Sequence, residues 1–221
     1  MKVGTDAVLL GAWAKTYGVR RILDIGTGTG VIALMLAQKC GASLDAIEID
    51  EVSCEEARDN VKNSPWSDRI RVHHISLQDF SRMQDERYEL IVSNPPYFND
   101  SLPATEESRT KARHTVLLPF SDLVEGASKL LAREGKFCVI LPPREGEKFR
   151  ELAAAKGLHL TRITRVKTTP EKPEKRWLMQ FAFTPKPQVS ESTLVIEKDN
   201  LNAQHYTEEY RELTKEYYLY F

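Results

Sequence analysis

The stretch LIVSNPPYFND holds the residues best suited to chemistry, at a point where a buried strand would end. The apolar run over 90–92 predicts the strand, and the polar Asn94 follows it closely. Asn94 and Pro95 each precede a proline, which keeps their backbone extended. The side-chain oxygen of Asn94 and the carbonyl of Pro95 can then accept hydrogen bonds from one planar NH2 group, and Tyr97 can stack on that group.

Such an arrangement suits group transfer to an amine nitrogen. The lone pair of an aromatic or amide NH2 is delocalised, so this nitrogen is a poor nucleophile. Two acceptors that hold its hydrogens would localise the lone pair and aim it at the carbon atom of the group to be transferred. Positioning would then supply much of the rate without a strong general base. In isolation the alternative, a proline-rigidified turn with an Asn cap, is the commoner role of NPP, so the surrounding motifs decide between them.

The motif DIGTGTG, which begins at Asp24, predicts a nucleotide-binding turn between a strand and a helix. Gly26, Gly28 and Gly30 would let a ligand approach the backbone closely. A dinucleotide fingerprint starting at Gly26 would need glycine or alanine where Val31 stands. The Asp24 carboxylate is unfavourable for a pyrophosphate and favourable for a cation. S-adenosylmethionine fits, because it has no phosphate but carries an ammonium and a sulfonium; for the turn alone, a structural role is as well supported.

Two further carboxylates follow the next strands in the order that this cofactor needs. Glu48, near the end of the second strand, can accept hydrogen bonds from both ribose hydroxyls. Asp79, after the third strand, can accept one from the adenine amino group. Glu48 is preferred to Asp50 because Ile49 continues the strand alternation, whereas Asp50 fits the following turn. The predicted cofactor site combines these carboxylates with the glycine turn and the amide: Asp24, Gly26, Thr27, Gly28, Gly30, Glu48, Asp79 and Asn94.

The elements that must position these residues alternate along the chain. Apolar runs predict seven strands, over 21–25, 43–49, 69–75, 88–93, 136–141, 158–166 and 177–183. Helices are predicted over 7–15, 31–37, 55–63, 121–132 and 145–156, with a short one after the third strand. This alternation indicates an α/β fold with a doubly wound, mostly parallel, Rossmann-like sheet. The polar stretch KTTPEKPEKR joins the last two strands, which predicts an antiparallel hairpin at one sheet edge.

Composition sets the wider expectations. The chain has 221 residues, of which 41% are hydrophobic and 29% charged, as in ordinary globular proteins. We expect one domain over 1–221, with a helix near the cofactor in 1–18, a core over 19–184 and a tail over 185–221 packed on the core. The net charge of -1 gives no global attraction to nucleic acid, so any polyanion site must be a local basic patch.

The cysteines and the apolar segments bear on the cellular compartment of the protein. The three cysteines show no CxxC spacing, which indicates reduced thiols. The first residues lack a signal-peptide pattern, and no apolar run reaches membrane-spanning length. The pair His73-His74 has no metal-ligand partners in sequence and is interpreted as structural. We therefore expect a cytoplasmic monomer without a metal or a membrane contact.

The glycine turn, Glu48, Asp79 and NPPY together resemble the class I S-adenosylmethionine-dependent methyltransferases that methylate nitrogen and carry an (N/D/S)PP(Y/F) motif. Three further segments, MKVGTDAVLLGAWA, NSPWSDRI and YTEEYRELTKEYYLYF, are similar to the bacterial family of tRNA (adenine-N6)-methyltransferases that modifies adenosine 37 of valine tRNA. The resemblance covers essentially the whole chain. It implies a Rossmann-like methyltransferase that acts on an adenine N6 in tRNA.

The resemblance also implies roles for individual residues. Asn94, Pro95 and Tyr97 match the catalytic motif of the family. The VGTD element of relatives lies near the cofactor, which makes Thr5 and Asp6 candidates for that site. Capping of the first helix is an equally supported role for these two residues, and the two roles are compatible.

Two basic segments could contact the RNA. One follows NPPY and holds Arg109, Lys111, Arg113 and His114; the other is the hairpin loop, with Lys167, Lys172, Lys175 and Arg176. Phosphate contacts of this kind confer affinity and salt dependence, not sequence choice. For any single residue, a solvated charged loop is the better-supported alternative.

Other functions stay open. The same motif could methylate another planar amine, such as guanine N2 in ribosomal RNA or a glutamine side-chain amide in a protein. A module that binds RNA and retains the cofactor without catalysis is a different class, and the intact NPPY argues against it.

Overall fold

The computed structural model describes residues 4–96, 118–199 and 205–218. The strands of these ranges are β1 (Arg21–Ile25), β2 (Ser43–Glu48), β3 (Ile70–His74), β4 (Tyr88–Ser93), β5 (Leu131–Leu141), β6 (His159–Lys167), β7 (Glu174–Ala182) and β8 (Ser190–Val195). The helices are α1 (Thr5–Trp13), α2 (Val31–Lys39), α3 (Glu51–Lys62), α4 (Leu77–Met83), α5 (Phe120–Leu130), α6 (Pro143–Ala155) and α7 (Glu208–Thr214).

All of these strands belong to one mixed sheet of 8 strands in the order β3-β2-β1-β4-β5-β7-β6-β8. The first five strands pair in parallel, and β7 is antiparallel to both β5 and β6. The predicted fold class is therefore confirmed: an α/β, mostly parallel Rossmann-like sheet that contains an antiparallel hairpin.

Two apolar cores lie on opposite faces of the sheet. On one face, side chains of α1, α2 and α7 pack against the strands, with Trp13, Leu36 and Tyr210 among them. On the other face, α4, α5 and α6 pack around Phe80, Leu123 and a cluster of phenylalanine rings. Both faces are covered, which explains why the central strands read as continuous apolar runs. No helix of the described ranges is long and apolar enough to cross a bilayer.

The eighth strand is the main departure from the sequence prediction of seven. β8 lies within the predicted tail and pairs in parallel with β6, so β8 rather than the hairpin forms that edge of the sheet. Of its six residues only Leu194 is buried. An edge strand hydrogen-bonds on one side, and with one buried side chain it shows no alternation that a sequence could reveal.

Helix α1 begins earlier than predicted, and its cap differs. Gly4 occupies the N-cap position without a side-chain cap hydrogen bond, so the expected capping by Thr5 and Asp6 is wrong. Both residues lie in the first turn instead. There the Asp6 carboxylate is favourably placed for the helix dipole.

The connectivity brings the predicted site together at one edge of the sheet. β1 lies between β2 and β4, so the chain first winds outward to β3 and then returns to the other side of β1. Loops that leave the carboxyl ends of β1 and β4 therefore diverge, which opens the crevice where such sheets bind ligands. The glycine turn and Asn94 follow the carboxyl ends of β1 and β4, and Glu48 is the last residue of β2.

Candidate active site

The glycine turn follows β1 and lies against the end of β2. The backbone N–H groups of Gly26 and Thr27 donate to the carbonyl of Ile47 at 3.0 and 3.1 Å. Gly26 and Gly30 have φ angles of 68° and 84°, which lie in the left-handed region that favours glycine. A side chain at Gly26 would meet no atom within 4 Å, so backbone conformation rather than space requires glycine there.

Asp24 is fully buried near the end of β1, two residues before Gly26. Its Oδ2 accepts a hydrogen bond of 2.6 Å from the Thr27 hydroxyl, whereas its Oδ1 is buried and has no hydrogen-bond partner among the described residues. Burial raises the pKa of Asp24 to about 7, and the Glu48 carboxylate raises it further, while Thr27 offsets part of the shift. The backbone N–H of Ala33 also lowers this pKa. A buried carboxylate oxygen without a partner suits a ligand that brings positive charge.

Glu48 ties the glycine turn to the start of α3. Its Oε2 accepts from the Gly28 N–H at 2.8 Å, and its Oε1 accepts from the N–H groups of Ile49 and Asp50 at 2.9 and 3.0 Å. A carboxylate has about four acceptor positions, so capacity for a hydroxyl donor is left on Oε2. The sequence preference for Glu48 over Asp50 agrees with this geometry, because Asp50 caps α3 by accepting from the Ser53 N–H at 2.8 Å.

Asp79 is less available than the sequence suggested. It lies in the first turn of α4, where its Oδ2 accepts from the hydroxyl of Ser76, the N-cap residue, at 2.7 Å. Its Oδ1 pairs with Arg82 at 2.8 Å, and the side chain is exposed. The structure thus gives Asp79 a helix-capping role, and none of these contacts joins it to the glycine turn or to Glu48.

Asn94 and the prolines follow β4 beside the end of β1. The Ser93 hydroxyl donates to the carbonyl of Ile25 at 2.9 Å and fastens the ends of the two strands to each other. Asn94 is half-buried, Pro95 is buried and Pro96 is exposed. This places the amide at the crevice between β1 and β4, at the same sheet edge as the glycine turn. Five predicted site residues lie outside the described ranges: Tyr97, Arg109, Lys111, Arg113 and His114.

Two residues that position this site carried no prediction. Ser93 fixes the end of β4, and its place directly before Asn94 is a signal that sequence reasoning could have used. The Asn60 side chain donates to the carbonyl of Thr29 at 2.9 Å and braces the glycine turn from α3. Nothing in the sequence marks Asn60, because the two residues are 31 positions apart and meet only through the fold.

Asp6 and Arg176, two residues predicted to contact the cofactor and the RNA, contact each other instead. Asp6 of α1 forms an ion pair of 2.7 Å with Arg176 of β7, so Arg176 points to the helix and is mostly buried. The expectation that Arg176 contacts RNA is therefore not supported.

His73 contacts the carboxylate of Asp45 at 2.7 Å, and His74 contacts the carbonyl of Ile49 at 3.0 Å. Within the described ranges, no three histidine, cysteine or acidic residues are grouped closely enough to hold a metal.

Comparison with known proteins gives this site a family. The family model described as methyltransferase small domain matches residues 3–148. A protein of Parabacteroides distasonis named tRNA1(Val) (adenine(37)-N6)-methyltransferase is 46% identical over 99% of this chain and 91% of its own. A protein of the same name from Phocaeicola vulgatus is 49% identical over the same shares. The chain belongs to this methyltransferase family.

Solved structures agree at the level of the fold. The structure of a predicted O-methyltransferase from Agrobacterium tumefaciens aligns with a TM-score of 0.68 and 20% identity, over 96% of each chain. The family model and the relatives show that this chain is an enzyme, a Rossmann-like methyltransferase whose cofactor is S-adenosylmethionine. The residues at the carboxyl edge fit that cofactor, because the buried Asp24 oxygen suits its cationic end and Glu48 retains acceptor capacity.

Proposed function

We propose that this methyltransferase transfers a methyl group from S-adenosylmethionine to the exocyclic N6 of adenosine 37 in valine tRNA. The observation that carries the proposal is the identity of 46% over 99% of the chain with a protein named for that reaction. The crevice supports it, because an amide that follows a central strand lies at the same edge as the cofactor turn.

The residues around β1 and β2 would hold the cofactor. Asp24 would face its ammonium group, the glycine turn would leave room for it, and Glu48 would accept hydrogen bonds from its ribose hydroxyls. We keep Asp79 as the candidate for the adenine amino group, although that role requires Asp79 to share oxygens already engaged with Ser76 and Arg82. When bound, the cofactor supplies a methyl group on a positively charged sulfur.

The residues after β4 would hold the target base. The Asn94 side-chain oxygen and the Pro95 carbonyl would each accept a hydrogen bond from the N6 amino group, so that its lone pair points at the methyl carbon. Tyr97 would stack on the adenine ring, which must leave the anticodon loop to reach this position. The proton released from nitrogen passes to water, because no strong base is needed when both acceptors localise the lone pair.

The wider assignments follow from the substrate. We propose that Arg109, Lys111, Arg113 and His114 contact tRNA phosphates, since these residues follow the catalytic motif in sequence. A cytoplasmic monomer with one domain over 1–221 is proposed as well. Two observations support it: the described strands form one sheet, and Cys40, Cys54 and Cys138 are free thiols.

Nucleoside analysis tests the reaction. The purified enzyme would be incubated with S-adenosylmethionine labelled in its methyl group and with separate fractions of tRNA, ribosomal RNA and protein. We expect labelled N6-methyladenosine in the tRNA fraction alone. Labelled N2-methylguanosine in ribosomal RNA, or methylated glutamine in protein, would replace adenine as the substrate while leaving the role of Asn94 in place.

A further inference from the structure

The loop between β6 and β7, residues 168–173, stands at the same sheet edge as the active site. The strand register shows this directly, because Ser93 is aligned with Val139 and Val139 with Met179. Asn94 therefore leaves the sheet at the level of Leu178. Because β7 is antiparallel to β5, its first residues lie further out than Leu178 at this edge, and the hairpin loop precedes them. The loop therefore projects past Asn94 on the solvent side.

Lys167 and Lys175 flank this loop and lie within reach of a substrate held at Asn94. Lys175 is three residues beyond Leu178, which places it about 10 Å above that level at about 3.3 Å per residue. Lys167 is aligned with Glu174, one residue further out. β7 is two strands away from β4, which adds a sideways separation of about 10 Å. A nucleic acid whose base enters the crevice would bring its neighbouring phosphates to this distance.

Some charged side chains of the hairpin are paired within the protein, whereas others face the solvent. Arg176 is held by Asp6, and Glu174 accepts from the indole N–H of Trp177 at 2.5 Å and lies 3.6 Å from Arg165. Lys172 and Lys175 are exposed to solvent, with Glu171 as the acidic residue beside them. The outward surface is therefore locally basic in a chain whose net charge is -1.

The loop is also held in place by burial and by hydrogen bonds to its backbone. Thr169 is fully buried, and the Lys172 N–H donates to its carbonyl at 3.2 Å. The chain that follows β8 adds two bonds, from the N–H groups of Ile196 and Glu197 to the carbonyls of Lys167 and Thr168. A surface fixed before binding loses less conformational entropy when a partner docks.

We propose that the β6–β7 hairpin binds phosphates of the RNA substrate through Lys172 and Lys175. Lys167 lies at the start of the loop, where its ammonium donates to the carbonyl of Pro170. The inference rests on the proposed function for the identity of the RNA. It adds a second contact region, on the side of the crevice opposite to the cofactor strands β2 and β3. The lysines contact the phosphate backbone of the RNA as point charges, so they confer no base specificity.

The test compares two double variants, each of which removes two exposed cations. Lys172→Ala with Lys175→Ala changes the hairpin, and Arg133→Ala with Lys186→Ala changes exposed residues beside the opposite ends of β5 and β7. The dissociation constant for unmodified valine tRNA would be measured from 50 to 300 mM salt. S-adenosylhomocysteine binding and the melting temperature would confirm that each variant is folded.

The hairpin variant should bind tRNA more weakly at low salt, with a dependence of log Kd on log salt that is shallower by about one to two units. The control variant should match the wild type. Equal slopes for all three proteins would overturn the inference, and so would wild-type binding that does not depend on salt. The proposed function fails separately, if the wild type binds this tRNA with the expected slope but forms no N6-methyladenosine in it.

Discussion

Asp24 combines complete burial with a neighbouring carboxylate and one oxygen that has no hydrogen-bond partner among the described residues. A carboxyl group in this environment resists ionisation, and its pKa is raised to about 7. Such a group is costly to the fold when it ionises. A binding site can retain the cost because a cationic ligand offsets it.

Asp24→Asn should therefore stabilise the protein without cofactor, and only at higher pH. The folded-state pKa of about 7 lies above the usual value of 3.8, so the folded protein keeps a proton that the unfolded chain has lost between these values. The free energy of unfolding of the wild type falls as pH rises through this window, by at most about 1.4 kcal/mol per pKa unit. The asparagine variant lacks that fall.

Urea unfolding of both proteins from pH 4 to pH 8 measures this difference. The two curves should converge near pH 4 and separate until about pH 7. Asp50→Asn is the control, because capping lowers the pKa of Asp50 and gives its ionised form the opposite, stabilising sign. A constant difference between the wild type and Asp24→Asn at all pH values would contradict the account of Asp24.

Glu48 and Asp50 separate cofactor binding from helix capping. Glu48→Ala should weaken S-adenosylhomocysteine binding by about 1–3 kcal/mol, since ribose hydroxyls would lose their acceptor and the Gly28 N–H its partner. Asp50→Ala should instead cost about 1 kcal/mol of stability by removal of the α3 cap, with cofactor affinity preserved. Calorimetric titration of both variants decides the matter, and a larger loss of affinity in Asp50→Ala would reverse the assignment.

At the scale of elements, β8 shows how the last part of the chain becomes part of the core. Leu194→Ala should lower the free energy of unfolding by about 2–5 kcal/mol, because Leu194 is 6% exposed and packs in the core that includes Trp13 and Tyr210. Thr193→Ala, at an exposed neighbour, should change it by less than about 0.5 kcal/mol. A small effect of both in chemical denaturation would mean that β8 is only loosely attached.

The elements that sequence predicts well are those with strong periodicity. The central strands were found because both of their faces are buried. The preference for Glu48 over Asp50 agrees with the structure, but the reason for it was wrong: β2 ends at Glu48 and Ile49 is exposed, so Ile49 does not continue the strand. β8 escaped because a single buried side chain gives no pattern. Helix ends are also hard to predict. The sequence suggested Thr5 and Asp6 as caps of α1, whereas the N-cap residue is Gly4, which has no side chain to mark the start of the helix.

The candidate site, like the fold, could be predicted only where its residues form a local sequence pattern. The glycine turn and Asn94 are each predicted from a motif local in sequence, and the structure places both at the sheet edge where the sequence puts them. Contacts between distant residues were not predicted, because only the fold brings them together. Asp6 and Arg176 are 170 positions apart, yet their ion pair decides that Arg176 faces α1. The Ser76 and Arg82 contacts of Asp79 likewise depend on α4 being formed.

At the scale of the whole molecule, a nearly neutral chain must bind a polyanion through local charge. The net charge of -1 excludes strong global steering, so affinity for tRNA should come from basic residues around the crevice and weaken as salt rises. The sheet places the cofactor turn and Asn94 on one edge, and the hairpin loop extends from that same edge. Cofactor, target base and phosphates can then be held from one side of the protein.

The central claim is that Asn94 directs methyl transfer to N6 of adenosine 37, and one measurement tests it most directly. Two valine tRNA transcripts, with adenosine or guanosine at position 37, would be incubated with S-adenosylmethionine and either the wild type or Asn94→Ala, and their nucleosides quantified by mass spectrometry. The wild type should form N6-methyladenosine in the adenosine transcript only. Asn94→Ala should lower turnover by about 100-fold or more, with S-adenosylhomocysteine affinity nearly unchanged. Methylation of the guanosine transcript to the same extent, or near-normal turnover in Asn94→Ala, would contradict the claim.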